Sequence, residues 1–350
     1  MPDDISPAGT VPRAAKPVLP GRFTSRHALW MGLFLAVMVS FTFFADSYRL
    51  FQLTMLVVYA VAVLGMTILT GYSGQISLGH GAFFAIGSYA TAILMSNYNW
   101  PYWATVPVAA AASALVGFLI GFPALRLGGL YLALTTFALA VAVPQILKVN
   151  ALSDLTGGVQ GLTMDKASAP FGLPLTGDQW IYLFSLGVGC VVFLMAWNLA
   201  RGRSGRAMLA VREQAVAAEA MGVGLAGLKT RTFAVSAMIT GVAGALSSIA
   251  VQFVAPDSFN FFLSITLFVG LVVGGVDSIP GALFGGAFIE FIPNIANDIS
   301  KAAPGAIYGV ILIGFMFLMP RGVGGAVVNL IRRAAGRGTK AGLAQAPAAE

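Results

Sequence analysis

The residues of this 350-residue chain that could do chemistry fall into three groups. Gln75, Ser77 and His80 lie in Gly71-Tyr72-Ser73-Gly74-Gln75-Ile76-Ser77-Leu78-Gly79-His80-Gly81-Ala82-Phe83. Arg212, Glu213 and Glu219 lie in a basic central segment, and Asp277 and Ser278 lie in Gly275-Val276-Asp277-Ser278-Ile279-Pro280-Gly281. None of these is an enzyme's constellation. There is no nucleophile with a base at a usual spacing and no carboxylate pair. With only His27, His80 and Cys190 as soft ligands, no metal cluster and no internal disulfide is expected. The catalytic residues predicted are therefore none.

What the first and third groups share is their setting, because each places glycine and polar groups inside otherwise apolar chain. Lipid offers no hydrogen bonds, so irregular backbone at that depth survives only when buried in protein or lining a watery cavity. Discontinuous helices of this kind line transporter binding sites. Gln75, Ser77, Gly79, His80, Gly81, Asp277 and Ser278 are thus candidates for a translocation pathway. His80 admits a proton-relay role or a structural one, bonding to backbone freed by the neighbouring glycines. The lack of an acidic partner nearby in sequence favours the structural role. Glu290 and Asp277 carry a similar ambiguity.

The elements that must position these residues are read from hydropathy. The chain is 58% hydrophobic and 9% charged, with a mean hydropathy of +0.85. This composition belongs to an all-α polytopic integral membrane protein and excludes a soluble domain of this size. Apolar runs cover Ala28 to Ala45, Leu50 to Thr70, Ala82 to Ser96, Trp103 to Phe122, Leu130 to Leu147, Trp180 to Ala200, Thr232 to Val254, Phe261 to Gly275, Ala282 to Ile295 and Gly305 to Met319. That predicts about ten transmembrane helices, with interrupted helices near 71–81 and 275–281. Gly74-x-x-Ser77-Leu78 and Gly275-x-x-Ser278-Ile279 each follow an apolar run and precede a Gly-Ala pair, as a repeat-built transporter would show.

Charge sets the expected topology. Of the 20 Lys and Arg residues, four lie in the tail 1–27, six in the loop 201–231 and five in the tail 321–350. By the positive-inside rule these three regions face the cytoplasm, so the basic charge reports topology rather than nucleic-acid binding. The predicted organisation is a disordered N-terminal tail over 1–27, a transmembrane domain over 28–320 and a basic C-terminal tail over 321–350. The longest outer connection, Lys148 to Gln179, carries Thr156-Gly157-Gly158 and Gly161-Leu162.

Within the loop, Ser204 as N-cap and Gly222 as stop bracket a helix too charged to span a bilayer. At helical spacing Ala215, Ala218 and Gly222 share a face of small residues, and Arg212, Val216 and Glu219 share another. This suits docking into a partner's groove, and equally an ordinary surface helix joining two spans. Gly222-Val223-Gly224-Leu225-Ala226-Gly227 satisfies G-x-G-x-x-G, but no strand precedes it and Leu228 puts Lys229 out of register for a P-loop, so nucleotide binding is not expected here. Gly117/Gly121, Gly270/Gly274, Gly281/Gly285 and Gly305/Gly309 are G-x-x-x-G pairs, which serve helix packing within the chain or an interface with a second subunit.

Ala210-Val211-Arg212-Glu213 followed by Ala217-Ala218-Glu219-Ala220-Met221-Gly222 resembles the cytoplasmic coupling segment of ABC importer permeases, specifically the branched-chain amino acid permease family of the LivM type. The Gly71 to His80 run with Ala82-Phe83 is similar to that family's most recognisable stretch, and Thr156-Gly157-Gly158, Gly161-Leu162, Gly274-Gly275 and Gly281 match its pattern. The likeness covers about residues 45 to 320. Gly81 stands where Ala is usual, and Ala215 where a second acidic residue is frequent. The resemblance implies an inner-membrane, multi-pass permease with both termini cytoplasmic. It implies Arg212, Glu213, Ala217, Ala218, Glu219 and Gly222 as the residues coupling to an ATPase. It also implies the partners: a second homologous permease subunit, two cytoplasmic ABC ATPase subunits that bind ATP and Mg, and a periplasmic substrate-binding protein. No cofactor is expected in this chain. The implied substrates are branched-chain or related amino acids, with urea or short amides as the alternative within the family. A secondary transporter driven by an ion gradient is the alternative from another class.

Overall fold

The computed structural model describes residues 38–124, 129–170, 174–299, 301, 304–318 and 322–325. The tail expected over 1–27, most of the first apolar run, the turn at Arg126 and the C-terminal tail apart from 322–325 lie outside the described residues. Apolar runs become helices because a backbone without water must satisfy itself. The helices are α1 (Ser47–Met66), continued by a π-helical turn (Thr67–Tyr72), α2 (His80–Tyr98), α3 (Tyr102–Ala124) and α4 (Leu130–Leu147). They are followed by the short α5 (Ser153–Thr156), then α6 (Gly177–Arg201), α7 (Arg203–Glu213), α8 (Ala215–Ala220), α9 (Leu225–Val251), α10 (Phe261–Gly274), α11 (Gly281–Ile299) and α12 (Pro304–Leu318). Among the described residues, four helical stretches are long and apolar enough to cross a membrane (α1 with its π-turn, α3, α6 and α9), and a fifth if α4 and the helical turns after it, bent by 65°, count as one span. The protein is an all-α membrane protein with one small departure. A two-residue antiparallel ladder pairs β1 (Leu162–Thr163) with β2 (Phe253–Val254).

The core is built around α1 and α9, whose apolar stretches are each 72% buried, against 33% for α3 and α6. Glycine is what lets the helices close on one another. A Cβ on Gly87 of α2 would lie 2.0 Å from the Gly241 carbonyl oxygen of α9, and one on Gly244 of α9 2.0 Å from that of Phe84. Backbones this close leave room for no side chain, and dispersion between them replaces the hydrophobic force that lipid cannot supply. Three of the four G-x-x-x-G pairs are thereby assigned to packing within the chain. Gly117 and Gly121 meet Ala237, Phe233 and Thr230 of α9, while Gly270 and Gly274 interlock with Gly285 and Gly281 across α10 and α11. A Cβ on Gly305 or Gly309 would meet none of the described residues within 4 Å.

The bundle has two distinct ends. One carries α7 and α8. The other carries the Thr156 to Leu162 segment, where Gly157 (φ 72°) and Gly161 (φ 78°) adopt left-handed backbone. There Thr156 Oγ1 donates to the Leu147 carbonyl at 2.8 Å, and an ion pair joins Lys148 to Asp257.

The central segment departs from the single helix expected between Ser204 and Gly222. Helix α7 begins two residues earlier, with the extended Gly202 in place of Ser204 as N-cap, and the chain breaks at Gln214 (φ −150°, ψ 101°) before α8. Arg212 and Glu219 therefore lie on two different helices. Val211 on one side of the break and Ala218 on the other are both buried. Gly222 does act as the stop, with left-handed backbone at φ 87° and its N–H bonded to the Glu219 carbonyl at 2.9 Å.

Candidate functional site

Both expected interruptions are present, and each is stabilised by its own polar groups. Between Tyr72 and His80 the chain leaves the helix, with Gly74 at φ 70°. Thr70 Oγ1 donates to the Gln75 carbonyl at 3.1 Å, and Gln75 Nε2 donates to Ser73 Oγ at 2.7 Å. Ser77 Oγ accepts from the Gly79 N–H at 3.3 Å. The second interruption has the same economy: Ser278 Oγ accepts from the Gly281 N–H at 3.1 Å, capping α11. Gln75 is thus turned to the Ser73 hydroxyl, and Ser77 and Ser278 to nearby backbone.

Three hydroxyls from distant helices complete the first break, and sequence reasoning did not single them out. Thr136 Oγ1 of α4 accepts from the Leu78 N–H at 2.9 Å, and Ser264 Oγ of α10 accepts from the Gly81 N–H at 3.0 Å. Ser236 Oγ of α9 lies 2.8 Å from His80 Nε2 and donates its single proton to the Gly65 carbonyl at 2.7 Å. Having spent that proton, Ser236 must accept from His80, which fixes the neutral tautomer with hydrogen on Nε2. His80 is wholly buried, and its Nδ1 has no partner among the described residues. The Nε2–H bond ties the first break to α9. The signal in sequence for these three residues is weak: isolated hydroxyls in apolar helices commonly bond back to their own helix, as Thr240 does to the Ser236 carbonyl at 3.0 Å.

The two breaks meet. A Cβ on Gly71 would lie 2.0 Å from the Val276 carbonyl oxygen, so the first break rests directly on the backbone of the second. Arg212 spans the junction. Its guanidinium donates to the Gly71 carbonyl and forms an ion pair with the Asp277 carboxylate. Its side-chain stem packs over Gly74, where a Cβ would come within 2.9 Å of Arg212 Cγ. The Arg212 and Asp277 side chains are 32% and 48% exposed, so the ion pair is screened and binds more by geometry than by raw Coulomb energy. One residue of the loop helix α7 thereby holds both interrupted helices. The other expected coupling residues lie elsewhere. Glu213, Ala217, Glu219 and Gly222 are on the outer surface and Ala218 is buried, while Val216 and Met221 stand 83% and 86% exposed beside them.

A protein-family model described as branched-chain amino acid transport system / permease component matches residues 48–319. The chain belongs to this permease family. The resemblance carried by the Gly71 to His80 run and the loop motif is therefore correct. The permease is 29% identical over 335 residues to the high-affinity branched-chain amino acid transport system permease protein LivM of Salmonella typhimurium, covering 89% of this chain and 78% of that one. It is 28% identical over the same shares to LivM of Escherichia coli K12. It is 26% identical to BraD of Pseudomonas aeruginosa, over 76% of this chain and 91% of that one. No solved structure matched the chain. The family description is that of a transport component, and the permease's matched region contains both helix breaks and the whole loop between α6 and α9.

Proposed function

We propose that this permease is the LivM-type membrane subunit of an ATP-driven importer, moving branched-chain or related amino acids inward across the bacterial inner membrane. Two ABC ATPases would bind the loop end of the bundle, with ATP and Mg held on those subunits. A second homologous permease would complete the membrane part, and a periplasmic binding protein would deliver substrate to the far end. In this reading the chain crosses the membrane about ten times with both termini cytoplasmic, and the shorter helices α2, α10, α11 and α12 supply spans beside the long ones.

The observation that carries the mechanism is the junction of Arg212 with Gly71 and Asp277. Exposed Val216 and Glu219 on α8, with Met221 just after it, offer an ATPase a small amphipathic surface. Displacement of α8 and α7 by ATPase closure would pull Arg212, and Arg212 would pull both breaks at once. Glycines at these positions leave backbone as the contacting surface, so the movement is transmitted without compressible side chains. Gln75, Ser77, Gly79, His80, Gly81, Asp277 and Ser278 would then line or shape the pathway as the breaks part. Gly222 would serve as the pivot at the end of α8.

The test is to purify the tagged chain in mild detergent and measure what accompanies it, then to follow labelled leucine and labelled urea in proteoliposomes with binding protein and ATP. The reading predicts an ATPase and a second permease in fixed ratio, and leucine uptake that requires hydrolysis. Urea uptake in place of leucine would move the substrate to the amide branch. A chain that stays alone and moves solute on an ion gradient would overturn the reading.

A further inference from the structure

Glu290 lies in the middle of α11, and its helix packs along α1 so closely that a Cβ on Gly286 would come 2.5 Å from the Ala60 amide nitrogen. Glu290 is one helical turn beyond Gly286, and Tyr59, adjoining Ala60, interacts electrostatically with it. Tyr59 is close to the midpoint of the apolar stretch Ser47–Tyr72, so Glu290 sits about halfway through the expected bilayer. Its side chain is half-buried, and no cation or hydrogen-bond donor meets its carboxylate among the described residues. Asn294 donates at 2.8 Å to the Glu290 backbone carbonyl instead. Glu290, Asn294 and Asp298 recur at four-residue intervals, a polar line along one side of α11 leading to the helix end.

A partly exposed carboxylate at mid-depth is not stable against lipid. Ionisable groups within membrane segments face a watery cavity or a polar partner, and they mark substrate pathways. The Arg212 junction does not use this residue. Asp277, the acid that does serve that junction, is already neutralised by Arg212. An amino acid crossing the membrane as a zwitterion brings an ammonium group that needs an anionic or strongly accepting partner once it leaves bulk water. Resting on the amino-acid importer reading above, we propose that Glu290, with Tyr59 and Asn294 beside it, lines a hydrated face of the α1–α11 pair and is the anionic partner for the ammonium group of the passing amino acid.

The experiment uses the complete complex in proteoliposomes, with Cys190→Ala as background and wild-type leucine uptake established first. Absence of leucine uptake in that parent would count against the importer reading and would be seen before any Glu290 variant is made. Glu290→Gln is expected to keep ATP hydrolysis and subunit ratio while leucine uptake falls at least ten-fold, and Glu290→Asp to recover a measurable part of it. Glu290→Cys is expected to react with a charged, water-borne methanethiosulfonate reagent, whereas Leu115→Cys, on the exposed apolar side of α3, does not. If Glu290→Gln folds poorly, the labelling of Glu290→Cys still decides whether the face is wet. Wild-type uptake in Glu290→Gln, or a Glu290→Cys thiol as inert as that of Leu115→Cys, overturns the proposal.

Discussion

Gly71→Ala adds one methyl group at the point where the two helix breaks touch. The added carbon would start 2.0 Å from the Val276 carbonyl oxygen, whereas even a close C···O contact needs about 3.3 Å. The atom in the way is backbone, so one break must retreat from the other by about 1 Å. Overpacking of this kind costs about 1–3 kcal/mol. Gly71 has ordinary negative φ, so Ala suffers no backbone strain and recovers about 0.5–1 kcal/mol through reduced freedom of the unfolded chain. The expected net loss is about 1–2 kcal/mol. The matched control is Gly187→Ala in α6, a position with open space around it, where only the gain applies. Unfolding of the detergent-purified complex by added SDS, followed by far-ultraviolet circular dichroism, should separate the two variants by the overpacking cost alone, about 1–3 kcal/mol, because the gain is common to both. Because retreat of Val276 also draws Asp277 from Arg212, leucine uptake should fall in Gly71→Ala and stay unchanged in Gly187→Ala. Equal stability and equal uptake in the two variants would refute the direct contact between the breaks.

Other positions give further checks. Ser236→Ala leaves the imidazole of His80 with one N–H that no tautomer can satisfy, because Nδ1 has no partner either. It should lower stability by about 1–3 kcal/mol in the same unfolding assay, and a loss below a few tenths would contradict the assigned tautomer. Thr136→Val is nearly isosteric but removes the acceptor for the Leu78 N–H. Hydrogen exchange at Leu78 should accelerate, while exchange in the middle of α9 should not. Lys148→Ala breaks an ion pair whose Asp257 partner is 72% exposed. Its cost should be under about 1 kcal/mol and shrink further in high salt.

Much of this fold was legible because lipid imposes simple rules on sequence. The apolar runs beginning at Leu130 and Phe261 start at the same residues as α4 and α10, and the glycines and serines at 71–81 and 275–281 fall where the helices stop. The kink at Gln214 was not legible. Gln is compatible with a helix, and Val211 and Ala218, seven residues apart, would share one face of an unbroken helix, so their spacing gives no sign of a break. Nor could spacing reveal that Arg212 meets Gly71 and Asp277, since those residues are separated by 141 and 65 positions. The likeness of the two breaks was visible as a pattern, but their mutual contact depends on how α1, α10 and α11 cross. The hydroxyls of Thr136, Ser236 and Ser264 escaped notice for a related reason: in an apolar run a hydroxyl that bonds across helices reads the same as one that bonds within its own.

The central claim is that Arg212 ties the loop helices to both interrupted helices and transmits their movement. The most direct measurement is the ratio of leucine imported to ATP hydrolysed in the reconstituted complex carrying Arg212→Gln, compared with wild type. The account predicts that hydrolysis and assembly persist while the ratio falls at least about five-fold, within the few kcal/mol that one lost charge-assisted hydrogen bond and one screened ion pair can supply. A ratio equal to wild type would show that movement reaches the pathway by another route and would contradict the account.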